Sequence, residues 1–248
     1  MPILIYKKIG ETPLEAIGRL RLENNKLEKE RLSYAGRLDP LAEGLLLILV
    51  GDECDESRRK IFLGLDKEYD IEVLFGISTD SYDLLGLPEI SNITGQGNLL
   101  EEVEKAIPEY LGNAHDLKYP PFSSKTINGR SLFELAKLGE IATSDLPPLK
   151  GKINSIEIIG SRDLFLDEIL NVVEDQVSKV KGDFRQQEIL ERWNSLEKVK
   201  YAFPALQLRV KCESGVYMRS LAKSLGERIG PKGLAFSIKR VKIGNYLL

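Results

Sequence analysis

Apolar residues recur along this chain at two different spacings, and the alternation of the two sets its outline. The first segment, Met1 to Lys8, reads as a strand. Thr12-Pro13-Leu14-Glu15 then has the order of a helix start, with Thr12 as N-cap, Pro13 in the first turn and Glu15 three residues on. Leu14, Ile17, Leu20 and Leu22 continue it as an approximate apolar stripe, and the charged stretch Glu23 to Arg31 reads as a solvated linker. The unbroken run Leu45 to Val50 predicts a strand covered on both faces. Glu53 to Leu65 reads as a short helix or an irregular connection. Lys67 to Ile77 alternates through Tyr69, Ile71, Val73 and Phe75, as a strand with one buried face does.

Beyond it the polar run Ser78 to Asp83 predicts a turn, and Asn92 to Asn98 a polar connection. Leu99 to Leu111 carries helical spacing that Pro108 kinks or ends. Pro120-Pro121 opens an extended segment, Asn128-Gly129 is a hairpin signal, and Leu132 to Leu138 predicts a helix stopped by Gly139. Ile153 to Ile159 and Leu206 to Cys212 read as strands, Val216 to Ile229 as a helix, and Ile238 to Ile243 as a last strand. Between them, residues 164–200 hold two helical stripes separated by Gly182, expected to form a hairpin that only packs. Strands and helices mix without regular βαβ alternation. The expected fold class is therefore α+β, around a mixed or antiparallel central sheet.

One stretch stands apart from these periodicities. Ser33-Tyr34-Ala35-Gly36-Arg37-Leu38-Asp39-Pro40-Leu41-Ala42-Glu43-Gly44 is a polar loop with a carboxylate at its centre, feeding the apolar run. Pro40 fixes its own φ and pushes Asp39 toward an extended conformation. A stiff loop against a core presents catalytic groups, and it also holds ordinary turn aspartates. The pattern alone leaves both readings open.

Composition narrows the class. The 248 residues, 42% hydrophobic and 29% charged, suffice for a sizeable core. No apolar stretch approaches the ~20 residues that span a bilayer, and the first segment does not read as a signal peptide. Two isolated cysteines, Cys54 and Cys212, and the single His115 give no metal-ligand spacing, so the expectation is a cytoplasmic protein with no metal. The net charge of −3 argues weakly against nucleic acid, but its distribution is uneven. From Arg209 onward nine Lys or Arg face two Glu, by direct count of the sequence. A second cluster, Lys118, Lys125 and Arg130, is interleaved with Tyr119, Phe122 and Phe133. Cations beside rings suit a bent single-stranded RNA loop, and a solvated face also carries many lysines.

The stretch Gly36-Arg37-Leu38-Asp39-Pro40 with Ala42 and Gly44 resembles the signature loop of the TruB family of pseudouridine synthases. Three further blocks follow in that family's order: Lys67-Glu68-Tyr69 with Gly76 and Thr79-Asp80, Pro120 to Gly129, and Ser214-Gly215-Val216-Tyr217-Met218-Arg219-Ser220-Leu221. The resemblance implies isomerisation of uridine in RNA to pseudouridine, with the base flipped into a pocket, most naturally at uridine 55 in the T loop of transfer RNA. Rivals are another RNA target, such as ribosomal RNA, and a non-catalytic chaperone of transfer RNA folding. Asp39 then matches the catalytic aspartate, Arg219 its arginine partner, and Tyr69 the tyrosine that stacks on the flipped base and assists proton removal. Tyr217 matches a pocket residue, while Arg37, Thr79, Asp80 and Lys125 match RNA-binding or pocket-support positions. Tyr34 stands where bacterial members usually carry a histidine, and its ring is expected to stack in the same space. The resemblance implies no cofactor, a monomer that binds the T-arm stem-loop, and one catalytic domain over residues 1–248. Within that domain 119–148 would be an excursion that folds over RNA and 164–200 a helical insertion. No room is expected for the C-terminal RNA-binding domain of the PUA type that many relatives carry.

Overall fold

A computed structural model describes residues 1–91, 98–114 and 116–247. His115 and all of the polar connection expected over Asn92–Asn98 except Asn98 lie outside the described residues. In chain order the elements begin with β1 (Ile3–Lys7), α1 (Pro13–Glu23), β2 (Leu32–Ala35), β3 (Glu43–Val50), α2 (Glu56–Gly64), β4 (Lys67–Phe75), β5 (Ile77–Thr79) and β6 (Pro88–Ile90). Next come α3 (Leu99–Tyr110), β7 (Gly112–Asn113), β8 (Thr126–Ile127), β9 (Arg130–Ser131), α4 (Leu132–Lys137) and β10 (Lys152–Leu164). The chain continues through α5 (Leu166–Val177), α6 (Gln186–Asn194), β11 (Phe203–Cys212), α7 (Met218–Ile229), β12 (Gly233–Ile243) and β13 (Tyr246–Leu247).

A single large sheet organises them, in the order β1-β3-β12-β4-β11-β10-β7, with β2 added to β3 and β13 to β12. Its pairings are antiparallel except that of β12 with β3, which is the mixed, α+β arrangement the sequence predicts. That parallel contact is short, with only Lys239 opposite Glu43 and Arg240 opposite Gly44. On the same edge of β3, pairing with β2 begins at Leu47. The gap between is filled by a side chain: Arg240 Nε donates to the Leu45 carbonyl at 2.7 Å. Gly44 makes the approach possible, because a Cβ there would stand 2.3 Å from the Arg240 carbonyl oxygen and the backbone sits at φ +109°.

Four apolar clusters cover the sheet. The largest packs α7 and α3 on β4, β10, β11 and β12, through Leu221, Ala222, Leu225 and Val103 against Val73, Leu208 and Val210. Another buries the α5–α6 hairpin, with Ile169, Val173, Val177, Ile189 and Trp193 against Leu74, Phe203 and Leu234. Burial of each large side chain contributes about 1.5–3 kcal/mol, so α7 is held firmly where its first turn enters the site. Its close approach to β12 depends on Gly226, where a Cβ would meet the Gly233 nitrogen at 2.2 Å.

Several expectations shift in detail. Helix α1 has the expected capping box between Thr12 and Glu15, but it buries Pro13, Ala16, Ile17 and Leu20 while Leu14 and Leu22 face solvent. The stretch taken as a loop from Ser33 starts as strand β2, so the loop proper is Gly36–Ala42. β10 and β12 are longer than the sequence pattern suggests: β10 runs on through Arg162 and Asp163, and β12 starts earlier, in the largely buried Gly233-Leu234-Ala235-Phe236-Ser237. The expected turn Ser78 to Asp83 lies in the first strand and connection of a short hairpin, β5 with β6. Asn128 and Gly129 both take positive φ between β8 and β9, as a tight hairpin turn requires.

Candidate active site

The loop Gly36–Ala42 hangs between two buried cations. On one side Lys7 donates to the carbonyls of Lys8, Pro40 and Ala42 at 3.1, 3.3 and 2.6 Å. On the other, Arg240 donates to the carbonyls of Gly36 and Arg37 at 3.1 and 3.5 Å. The Gly10 amide adds a bond to the Pro40 carbonyl at 2.9 Å. Burial pulls the Lys7 ammonium down to about 8, partly offset by the carboxylate of Asp39. These bonds fix the backbone of a loop with no regular structure, and so fix Asp39.

Asp39 meets Arg219 in a two-bond fork, Nε to Oδ2 at 2.8 Å and Nη2 to Oδ1 at 3.0 Å. Arg219, in the first turn of α7, is 2% exposed. Its remaining donors reach the carbonyls of Ser81 at 2.9 Å and Phe122 at 3.2 Å, and Asp83 stands 3.6 Å away. Burial by itself lowers the guanidinium's pKa, and the two carboxylates more than reverse this. Asp83 is enclosed: its Oδ1 accepts from Ser81 Oγ at 2.6 Å and from the Leu85 amide at 3.0 Å, and burial holds its carboxyl above the usual range. Asp39 differs, since 26% of its side chain is exposed. It looks into a cavity of about 160 Å³ whose other walls include Lys67, Tyr69, Tyr217, Ile238 and Arg240. Cavities of ~150 Å³ hold a six-membered ring, so the hollow suits one pyrimidine base.

The sequence-predicted residues fall into four groups, of which Tyr34 is the last. Asp39, Tyr69, Arg219 and Tyr217 converge: the two tyrosines line the cavity, and Arg219 holds Asp39 from beneath. Burial raises both phenols, that of Tyr217 to about 12, so both are protonated at neutral pH. Arg37 and Lys125 are peripheral. Arg37 is an exposed part of the cavity wall, and the Lys125 ammonium lies 5.3 Å from the ring centre of Tyr119, which meets Tyr217 edge-on at 5.3 Å. Thr79 and Asp80 support the turn below, through Thr79 Oγ1 to the Asp83 carbonyl at 2.6 Å and the Leu87 amide to Asp80 at 2.8 Å.

Tyr34 is placed away from the cavity. On β2 it pairs with Ile48 and packs on the α1 side of β3, in the cluster of Ala16, Ile17 and Leu20. Strand alternation turns it there, so its ring is not a wall of the Asp39 cavity. The basic clusters also change meaning. Arg209 pairs with Asp70, Arg228 with Glu109, Lys232 with Glu89 and Lys223 with Glu227, while Arg240 is buried at the loop. In the second cluster, Arg130 pairs with Glu140 and Lys118 donates to the carbonyls of Thr143 and Ser144. Much of the apparent excess of positive charge is thus spent within the fold.

Sequence reasoning missed the buried cations Lys7, Lys67 and Arg240, and the carboxylate Asp83. A lysine at the end of the apolar run Ile3 to Tyr6 was the available signal for Lys7, and Asp83 closes the polar turn already noted. It also missed the tip of the α5–α6 hairpin. Phe184 meets Phe133 edge-on at 5.3 Å, and Arg185 bonds Asp80 at 2.9 Å. A second hollow of about 290 Å³, beside the first, has Pro40, Phe122, Phe133 and Phe184 in its walls. Among the described residues no cluster of three or more His, Cys, Asp or Glu could hold a metal ion, and no helix is long and apolar enough to cross a membrane.

Comparison with known proteins places the chain among named relatives. The chain is 27% identical to a tRNA pseudouridine synthase B of Caldicellulosiruptor saccharolyticus over 98% of its own length and 67% of that protein's. It is 29% identical to the one from Aquifex aeolicus, over 97% and 67% respectively. Among solved structures, a chain of a Cbf5-Nop10-Gar1 complex shares its fold, with a TM-score of 0.56 and 15% identity over 99% of this chain and 49% of that one. The chain thus spans about two thirds of these relatives and about half of that solved chain. A model of the TruB family pseudouridylate synthase N-terminal domain matches residues 24–182, more than half the chain, and the chain belongs to that family.

Proposed function

We propose that this protein is an RNA pseudouridine synthase acting on uridine 55 in the T loop of transfer RNA. The observation that carries the reading is the Asp39–Arg219 fork on the wall of a cavity sized for one base. Relatives over nearly the whole chain are named tRNA pseudouridine synthase B. A base inside a folded loop must leave its stack to reach such a cavity. The reaction breaks the bond between ribose C1′ and uracil N1 and forms one between C1′ and C5. C5 loses a proton and N1 gains one, so the atoms balance without a co-reactant.

Arg219 orients Asp39 through its two bonds, and the exposed part of the carboxylate faces the flipped nucleotide. Tyr69 stacks on the base and Tyr217 hydrogen-bonds through a phenol that stays protonated. Arg37 and Lys125 stand at the periphery, where phosphates pass. The 119–148 segment covers the RNA loop, and the whole acts as one catalytic domain. The test is pseudouridine mapping in a transfer RNA transcript incubated with the purified protein. Wild type converts position 55; Asp39→Asn, of the same shape but without a carboxylate, converts none while binding RNA within about threefold and giving an unchanged circular dichroism spectrum. No pseudouridine from wild type, or full activity in a folded Asp39→Asn protein, overturns the reading.

A further inference from the structure

The α5–α6 hairpin does more than pack. Its stripe is buried, and Trp193, itself fully buried, anchors it by donating Nε1 to the Gly86 carbonyl at 3.0 Å. The tip, however, is built against local preference. Arg185 stands at the N-cap of α6 with φ +63° and no side-chain cap bond, where Ser, Thr, Asp or Asn is the favoured choice. Only Tyr82 and Asn128 share a positive φ among non-glycine residues of the described structure, and Tyr82 sits in the turn that bonds Arg219. Backbone strain of this kind persists where the surroundings enforce it and clusters at functional sites.

The Arg185 side chain joins two segments that both bond Arg219. Its Nη1 donates to Asp80 Oδ2 at 2.9 Å, beside the Ser81 carbonyl that accepts from Arg219. Its guanidinium lies 4.2 Å from the ring centre of Phe122, whose carbonyl also accepts from Arg219. At this distance a guanidinium and a ring attract each other well. Phe184 and an ion pair between Asp183 and Lys137 tie the same tip to Phe133 and α4. Two of the partners that aim Arg219 therefore belong to segments that Arg185 holds together. Asp183, Phe184 and Arg185 lie just beyond the matched residues 24–182.

We propose that Arg185 is a positioning residue: it clamps the 119–148 segment to the Ser81–Asp83 turn and so keeps Arg219 seated on Asp39 before RNA arrives. The assignment rests on the proposed pseudouridine synthase activity for its kinetic consequence, but its structural half stands without it. Arg185→Gly is the informative variant, because glycine accepts the positive φ and only the side chain is lost. Arg185→Lys keeps a cation for Asp80 and loses the flat face that covers Phe122.

The experiment joins two readouts. Hydrogen exchange on the free protein follows amides 122–140, and single-turnover pseudouridine formation is measured over a range of transfer RNA concentrations. In Arg185→Gly the amides exchange at least about tenfold faster than in wild type, and the rate at saturating RNA falls about tenfold or more, with half-saturation within about threefold. Arg185→Lys falls between. Asp80→Asn combined with Arg185→Gly costs less than the two separate losses predict, because the pair acts as a unit. An unchanged saturating rate with weakened half-saturation marks Arg185 as an RNA contact and overturns the proposal. Unchanged exchange overturns it too. Should wild type make no pseudouridine, the proposed activity fails, and the exchange comparison decides the clamp by itself.

Discussion

Arg219→Leu separates what the arginine contributes to folding from what it contributes to chemistry. Leucine keeps an aliphatic side chain on α7 but gives no hydrogen bond to the carboxylates and carbonyls around it. Asp39 loses a two-bond partner, yet with 26% of its side chain exposed it is rescued in part by water. Asp83, with 7% exposed and 3.6 Å from the lost guanidinium, is not. Removing one member of a buried pair costs about 3–5 kcal/mol, most of it the stranded charge. For a chain of this size that lowers the melting temperature on the order of 10 °C. The sign with pH follows from Asp83. Burial already raises its carboxyl, and losing Arg219 removes the main opposing influence. The folded variant then holds a proton that the unfolded chain releases above its ordinary value, so stability falls as pH rises through that window and the full cost is present above it. Urea midpoints by circular dichroism at pH 5 and pH 7.5 measure this. Arg219→Leu should lose more at pH 7.5. Asp83→Asn keeps Oδ1 as acceptor for Ser81 and Leu85, and in the Arg219→Leu background it should restore about 1–3 kcal/mol. Strictly additive losses, or equal destabilisation at both pH values, would refute the assignment of the cost to Asp83.

Two further substitutions probe the supports of the site. Gly226→Ala drives a Cβ into the β12 backbone at Gly233, so α7 must shift; stability should fall by about 1–3 kcal/mol and pseudouridine formation should fall with it, read by thermal melting and turnover. Lys7→Met removes the Lys7 bond from the Ala42 carbonyl and leaves the Pro40 carbonyl with the Gly10 amide alone, and turnover should drop at pH 7.5. Because the folded Lys7 titrates near 8, below its unfolded value, wild type gains stability from it as pH rises from 8 toward 10.5, and the variant's urea midpoint should lack that gain.

The residues that face the reacting nucleotide in the proposed function were legible, because their order along the chain carries them. Asp39, Tyr69, Tyr217 and Arg219 are brought together as that order implies. The supports were not legible, for a physical reason. Lys7, Arg240 and Arg185 act through carbonyls and rings on segments far away in sequence, and a lone cation in a strand or loop looks like any solvated lysine or arginine. The same holds for the basic stretch from Arg209 onward. Counting its charges was correct, but only tertiary structure reveals that Arg209, Arg228 and Lys232 face carboxylates. Tyr34 misled because a position in a motif does not report strand facing. A shift of one residue between loop and strand decides which side its ring takes.

The short parallel contact between β12 and β3 has a consequence for how the protein is made. β12 lies in the middle of the sheet, yet it follows β1 to β11 in the chain, and the Arg240 side chain bonds a carbonyl 195 residues earlier. As the polypeptide is synthesised, β1, β2 and β3 can form their local meander early, carrying Asp39 with them. They have no bridge to β4 until β12 arrives to lie between. The aspartate loop stays unbraced on one side through most of synthesis, and the sheet closes in a single late event. Long sequence separation makes such closure slow relative to local pairing. Catalytic competence should therefore appear abruptly, at the end of folding, when the last long strand takes its place.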